Sequence, residues 1–177
     1  MALYKVIDDF LPRNMENRLY EFMVEEKHEM WQFIPYQTSA STQGKEGCQF
    51  VYRIQNGEIG LRDLSHDGII KSFINRLEPY ILLRVKANCT LRTGEHQQSV
   101  FHNDIHGTPC MTAIYYVNTN NGYTLFKDGG KVESKRNRIV IFPSHLKHCG
   151  VTTTDRSFRM VININYHLKV QDLGQPG

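Results

Sequence analysis

The chain has 177 residues, of which 40% are hydrophobic, 11% aromatic and 22% charged. That composition suits one globular domain and excludes a disordered, collagen-like or coiled-coil chain. A domain of this length buries roughly 70% of the surface its unfolded chain exposes, so it needs no disulfide or metal merely to fold. The formal net charge of +3 is a slight excess spread along the sequence, which implies no obligatory nucleic-acid or membrane partner. No apolar run approaches the roughly 20 residues that span a bilayer. The N-terminus lacks the features of a signal peptide, so the expected location is cytoplasmic. The four cysteines Cys48, Cys89, Cys110 and Cys149 form no CxxC motif and read as reduced, buried thiols.

In chain order, residues 4–10 read as a short strand running into Pro12. Residues 14–28 carry Met15, Leu19, Phe22 and Met23 at helical spacing. Residues 35–60 are rich in Gly, Ser, Thr and Gln and predict a long loop around one strand at 49–54. His66 and Asp67 open a second helix whose buried stripe is Ile69, Ile70, Phe73, Ile74, Leu77 and Ile81. From Leu82 the pattern changes to short β-rich segments, near 82–92, 98–105, 110–118, 122–126, 138–142, 147–151 and 157–167. Asn120-Asn121-Gly122 and Asp128-Gly129-Gly130 form turns, and the basic run 131–138 reads as a solvated hairpin. About seven strands after two helices predict a mainly β protein with N-terminal helices. Its core is a jelly roll, or double-stranded β-helix, at about 82–167, braced by helical support at about 1–81, all within a single domain 1–177.

The chemistry concentrates in that core. His102 and Asp104 are two apart on a predicted strand, so their side chains project to the same side and can reach one metal ion. His148 follows the apolar strand 138–142 and supplies a third donor. Two His and one carboxylate on one face are the facial triad that suits non-haem Fe(II). Downstream, alternation puts Arg159, Val161, Asn163 and Asn165 on one face of a strand, with Met160, Ile162 and Ile164 on the other. An Arg on the inward face is expensive unless it meets an anion, and its planar fork suits a carboxylate. His145 and Arg156 repeat the spacing of His148 and Arg159, but Arg156 sits in a turn beside Asp155, whereas Arg159 opens an apolar strand. His148 is therefore preferred. His96 and His106 read as exposed loop histidines, and Tyr115, Tyr123 and Phe126 as core rather than stacking surfaces. No GxSxG elbow of a hydrolase occurs.

The ordered series His102-x-Asp104, then Thr112-Ala113-Ile114-Tyr115-Tyr116-Val117-Asn118, then Gly122-Tyr123-Thr124-Leu125-Phe126, then His148, then Arg159 resembles the Fe(II)- and 2-oxoglutarate-dependent dioxygenases. The resemblance is closest to their prolyl-hydroxylase-like branch. It implies Fe(II), 2-oxoglutarate and O2 as cofactor and cosubstrates, with His102, Asp104 and His148 as iron ligands. Arg159 then binds the distal carboxylate of 2-oxoglutarate, helped by the Tyr116 hydroxyl, with Thr112, Ile114 and Asn163 beside the same pocket. The implied reaction hydroxylates a C–H bond and releases succinate and CO2. The implied substrate is a peptidyl prolyl residue, with a free amino acid or other small molecule as the alternative. A non-catalytic jelly-roll binding module is the reading from a different class. One departure is a first-strand tyrosine of the branch, which corresponds here to Cys89, with Asn88 or Arg92 as substitutes. The second last-strand arginine of nucleic-acid demethylases is absent after Arg159. Specificity is expected in the loops 35–60 and 93–101.

Overall fold

Strands with strict alternation present two different faces, and here both faces are used. The computed structural model describes residues 3–26, 31–37, 47–60, 68–105 and 110–168. Its elements are β1 (Lys5–Ile7), α1 (Arg13–Tyr20) prolonged by a π-helical turn (Glu21–Glu25), β2 (Gln32–Ile34), β3 (Gln49–Gly60), α2 (Gly68–Leu77), β4 (Ile81–Leu91), β5 (Met111–Tyr116), β6 (Tyr123–Phe126), β7 (Lys131–Glu133), β8 (Arg138–Pro143), β9 (His148–Val151) and β10 (Phe158–His167). Seven strands form a sheet in the order β1-β8-β5-β10-β4-β3-β2, and three form a second sheet, β7-β6-β9. The second sheet is widened by residues 98–102, which pair with β9 through the isolated bridges Gln98–Val151 and His102–His148.

One face of the large sheet packs on the helices. Val85, Ala87 and Cys89 of β4, Ala113 and Tyr115 of β5, and Met160, Ile162 and Ile164 of β10 close there with Leu19, Met23, Phe73 and Leu77. The opposite face looks into the sandwich, where Ile114, Tyr116, Val140, Phe142 and Val161 meet Phe126 and Val132 of the second sheet. This is the jelly-roll core braced by helices. Among the described residues no helix is long and apolar enough to cross a membrane.

The N-terminal arm is pinned by Asn137, which turns the chain into β8 with a left-handed φ of 64°. Its Oδ1 accepts from the Leu11 amide at 2.8 Å and the Tyr115 hydroxyl at 3.1 Å, while its Nδ2 donates to the Leu11 carbonyl at 2.9 Å. Asn137→Ala strands three buried polar groups and places a Cβ-bearing residue without a compensating bond at positive φ. We expect it to lower stability by about 2–4 kcal/mol, read by urea unfolding. The basic run 131–138 is engaged internally. Lys135 and Arg138 pair with Asp8, Arg136 with Glu16, and Lys131 with Glu133. The guanidinium of Arg136 also lies 3.9 Å from the Tyr20 ring.

Several sequence expectations are corrected. The 4–10 strand is only β1, because Asp9 turns the chain at φ 51°. α2 stops at Leu77, since Glu78 adopts φ 47° and precedes Pro79, which disfavours helical geometry before it. Ile81 therefore opens β4 instead of closing the helical stripe. The proposed helix start at 66–67 and residues 38–46 of the proposed loop lie outside the described residues. Part of that loop is strand: β3 pairs along β4, with β2 on its outer edge. Pairing satisfies the backbone there despite weak local propensity. Conversely, 98–105 is not a regular strand. Hydroxyls compete for its ladder, Thr152 Oγ1 accepting from the Gln97 amide and Ser99 Oγ from the Gly150 amide. Cys48 is exposed, whereas Cys89, Cys110 and Cys149 are buried free thiols.

Candidate metal and anion site

The sandwich interior is apolar over β5 and β8 and polar over β4 and β10. Register aligns Thr90 with Arg159, Asn88 with Val161, Lys86 with Asn163, and Arg84 with Asn165. Side chains directly opposite share a face, so these pairs form successive polar rows along the two strands. The first three pairs line a cavity with Gln49, Ser99, His102, Asp104, Ile114, Thr124, His148, Cys149 and Gly150.

At one end lie His102, Asp104 and His148, with one ligating atom of each within 4.8 Å of the others. His102 stands on the bridge that pairs it with His148 across 3.0 and 3.1 Å backbone bonds, so the two imidazoles are brought side by side by the ladder itself. Nδ1 of His102 lies 3.0 Å from the Val100 carbonyl, and Nδ1 of His148 lies 3.1 Å from the Leu146 carbonyl. A carbonyl only accepts, so Nδ1 carries a proton in both rings, and in the neutral form each Nε2 keeps its lone pair. Those Nε2 atoms face Asp104, at 3.9 Å from Oδ1 for His102 and 3.7 Å from Oδ2 for His148. Burial would raise the Asp104 carboxyl, but His148, Arg84, His102 and Lys86 hold it below its ordinary value. Burial lowers His148 against the pull of Asp104, which favours the neutral imidazole that metals bind. Arg84 Nη2 donates to Asp104 Oδ1 at 3.1 Å, and Arg84 Nε donates to Asn165 Oδ1 at 2.9 Å. Asn165 Nδ2 donates to Thr112 Oγ1 at 2.9 Å and reaches Asp104 Oδ2 at 3.4 Å. The donor set, two neutral nitrogens and one anionic oxygen with their outer atoms fixed, fits a divalent iron ion.

At the other end Arg159 is 5% exposed and makes no ion pair among the described residues. Its Nε donates to Ser134 Oγ at 3.0 Å and its Nη2 to Thr124 Oγ1 at 3.1 Å. Burial pulls its pKa down, with Tyr116 and Cys149 acting the other way. A buried guanidinium met, among the described residues, by neutral hydroxyls is able to hold an anion. Gly122 makes room for it: a Cβ there would lie 2.7 Å from Arg159 Cδ and 2.8 Å from the Val151 carbonyl oxygen. Gly122→Ala is expected to cost about 1–3 kcal/mol through overpacking, read by thermal unfolding.

Sequence reasoning named most of this site and misplaced part of it. The structure brings His102, Asp104, His148, Arg159 and Asn163 to one cavity, and leaves His145 and Arg156 exposed on turns. His96 is exposed, bonded through Nδ1 to the Thr152 carbonyl at 2.7 Å, while His106 lies outside the described residues. Tyr116 and Thr112 do not line the cavity. The Tyr116 hydroxyl donates to Thr124 Oγ1 at 2.8 Å, and Thr112 Oγ1 is spent on Ser144 and Asn165. Their strand face was read correctly, but both side chains stop one layer behind the cavity wall. Thr124 was missed. It lies two residues beyond Gly122 in a segment already noted, but nothing local marks it as a partner of Arg159. Cys89 turns toward the helices, because β4 alternates, so Asn88 and Thr90 occupy the cavity side. Arg92 is exposed and does not line the cavity.

No protein-family model matches the sequence, and neither does any curated protein. Solved structures do match. A Trichoplax adhaerens prolyl hydroxylase, solved with a hypoxia-inducible-factor peptide fragment, aligns with a TM-score of 0.64 at 14% identity over 93% of this chain and 83% of its own. A Pseudomonas putida prolyl-4-hydroxylase aligns with a TM-score of 0.58 at 15% identity over 96% of this chain and 94% of its own. A Burkholderia pseudomallei oxidoreductase of the 2-oxoglutarate-Fe(II) oxygenase family gives 0.63 at 9% identity over 93% and 85%. The fold is that of the 2-oxoglutarate- and Fe(II)-dependent oxygenases. Within this oxygenase fold the chain sets its His-Asp-His cluster and its buried arginine on facing walls of one sandwich.

Proposed function

We propose that the protein is an Fe(II)- and 2-oxoglutarate-dependent dioxygenase that hydroxylates a C–H bond, with residues 1–177 acting as one domain. The observation that supports it most directly is the cavity itself, which carries the His102-Asp104-His148 cluster at one end and an arginine without a carboxylate at the other. Iron bound there with 2-oxoglutarate and O2 supplies the oxidising chemistry, in which the cosubstrate leaves as succinate and CO2.

The residues of this chain do the holding. His102 and His148 offer Nε2 lone pairs, and Asp104 offers an oxygen kept anionic by its cationic neighbours. Arg159 takes the distal carboxylate of 2-oxoglutarate. Thr124 Oγ1 already accepts from Arg159 and Tyr116, so its own proton is free to donate to the same carboxylate. Tyr116, its pKa pushed up to about 12 by burial, stays protonated and orients Thr124, which makes it a positioning residue. Asn163 lies on the wall between the two ends, its buried Oδ1 without a hydrogen-bond partner among the described residues.

For the substrate, a peptidyl prolyl residue is supported by the peptide-bound prolyl hydroxylase among the structural neighbours. A free amino acid is the second reading, favoured by Lys86 in the cavity wall. The test is anaerobic addition of Fe(II) and then 2-oxoglutarate, followed by O2. A visible metal-to-ligand charge-transfer band and succinate release are the expected results. Folded, metal-loaded protein that gives neither would be a binding module.

A further inference from the structure

One cation in the cavity holds neither iron nor 2-oxoglutarate in the reading above. Lys86 sits on the interior face of β4, opposite Asn163 in register and flanked along its own strand by Arg84 and Asn88. Its neighbours on the other face of β4, Val85 and Ala87, are buried among apolar side chains. An ammonium placed in the wall of such a sandwich loses hydration and needs an anion in return. Asp104 is near enough to act on it electrostatically, but among the described residues Lys86 forms no ion pair. The carboxylate that lines the cavity, Asp104, is engaged by Arg84 and Asn165 and faces the two imidazoles.

Charge counting sharpens the point. With the site filled, Fe(II) and Arg159 meet the carboxylates of 2-oxoglutarate and Arg84 meets Asp104. Lys86 is the cation of the cavity wall left without a carboxylate bonded to it. Beside Lys86, the Oδ1 atoms of Asn88 and Asn163 are buried without a hydrogen-bond partner among the described residues. A rotation of either amide offers a carbonyl to an N–H donor or an NH2 group to a carboxylate.

We propose that Lys86 docks a carboxylate belonging to the substrate, with Asn88 and Asn163 serving the polar group next to it, and that the substrate is a free α-amino or imino acid. This rests on the oxygenase reading. An amino acid carries a carboxylate to pair with the ammonium and an adjacent nitrogen donor for an amide carbonyl. A neutral, blocked prolyl peptide offers neither.

The test uses wild type, Lys86→Met and Lys86→Arg, each loaded anaerobically with Fe(II) and 2-oxoglutarate. The charge-transfer band of the loaded protein is recorded first. The twenty common L-amino acids are then titrated singly, with their α-carboxamides, which lack the carboxylate, and the neutral N-acetyl-L-prolinamide as counterparts, following perturbation of the band. The expected result is that at least one free acid binds wild type and its carboxamide binds tenfold or more weakly. Lys86→Met should lose the acid by a similar factor while keeping the band, and Lys86→Arg should retain it. The proposal is overturned if carboxamides bind as well as acids, if Lys86→Met binds the acid unchanged, or if no free acid binds. It is also overturned if Lys86→Met weakens the band itself, which would make Lys86 a cosubstrate residue. Absence of the band in wild type would instead sink the underlying oxygenase reading.

Discussion

His148→Ala is expected to abolish the charge-transfer band formed by Fe(II) and 2-oxoglutarate, whereas His145→Ala leaves it intact. The two histidines are three residues apart, yet one is buried with Nε2 3.7 Å from Asp104 and the other is exposed on the preceding turn. Losing one ligand of three should weaken iron binding by on the order of 100-fold or more, since changes to groups that merely orient ligands already cost about 10- to 100-fold. Asp104→Ala should behave like His148→Ala, because it removes the anionic donor. Direct titration of Fe(II) under anaerobic conditions reads both effects. Equal bands in the His148 and His145 variants would remove His148 from the site.

Arg159→Met is the second large effect, and its two readouts go in opposite directions. Truncating a buried, hydrogen-bonded charge that meets a carboxylate costs about 2–4 kcal/mol, roughly 30- to 1000-fold in 2-oxoglutarate affinity. Without cosubstrate the same arginine is a buried charge satisfied only by Ser134 and Thr124. Replacing it by an apolar chain of similar length should then leave the unfolding midpoint unchanged or higher. Calorimetric titration measures the first and thermal unfolding of the cosubstrate-free protein the second. Arg159→Lys keeps the charge but loses the fork and should fall between. A variant that lost stability while binding 2-oxoglutarate normally would make Arg159 a structural residue.

The two effects differ in how legible they were. The His102-x-Asp104 pair, His148 and Arg159 could be read from spacing because each requirement is local: donors on one side, an arginine opening an apolar strand. The choice of His148 over His145 followed from placing Arg156 in a turn and Arg159 in a strand, and in the structure β10 starts at Phe158, past Arg156. Tyr116 and Thr112 were harder. Alternation assigns a face, but it does not say how deep a side chain sits on that face. Tyr116 points inward as expected, yet its hydroxyl ends on Thr124, one layer behind the cavity. Cys89 failed for a simpler reason, a one-residue offset along β4, which in a strand moves a side chain to the opposite surface.

By itself the sequence determined most elements of the core, the alternation that separates a helix-facing from an interior surface, and which His, Asp and Arg side chains are the candidates for a metal and an anion. These follow from local periodicity and from the chemistry of His, Asp and Arg. Only the tertiary structure decided which residues stand opposite one another. Register between β4 and β10 put Lys86 beside Asn163 and Arg84 beside Asn165, and the second sheet brought Thr124 and Ser134 to Arg159. The bridge between His102 and His148 and the burial that left Lys86 in the cavity wall are of the same kind. Such pairings join residues far apart in the chain, and their energies depend on neighbours that no local pattern names.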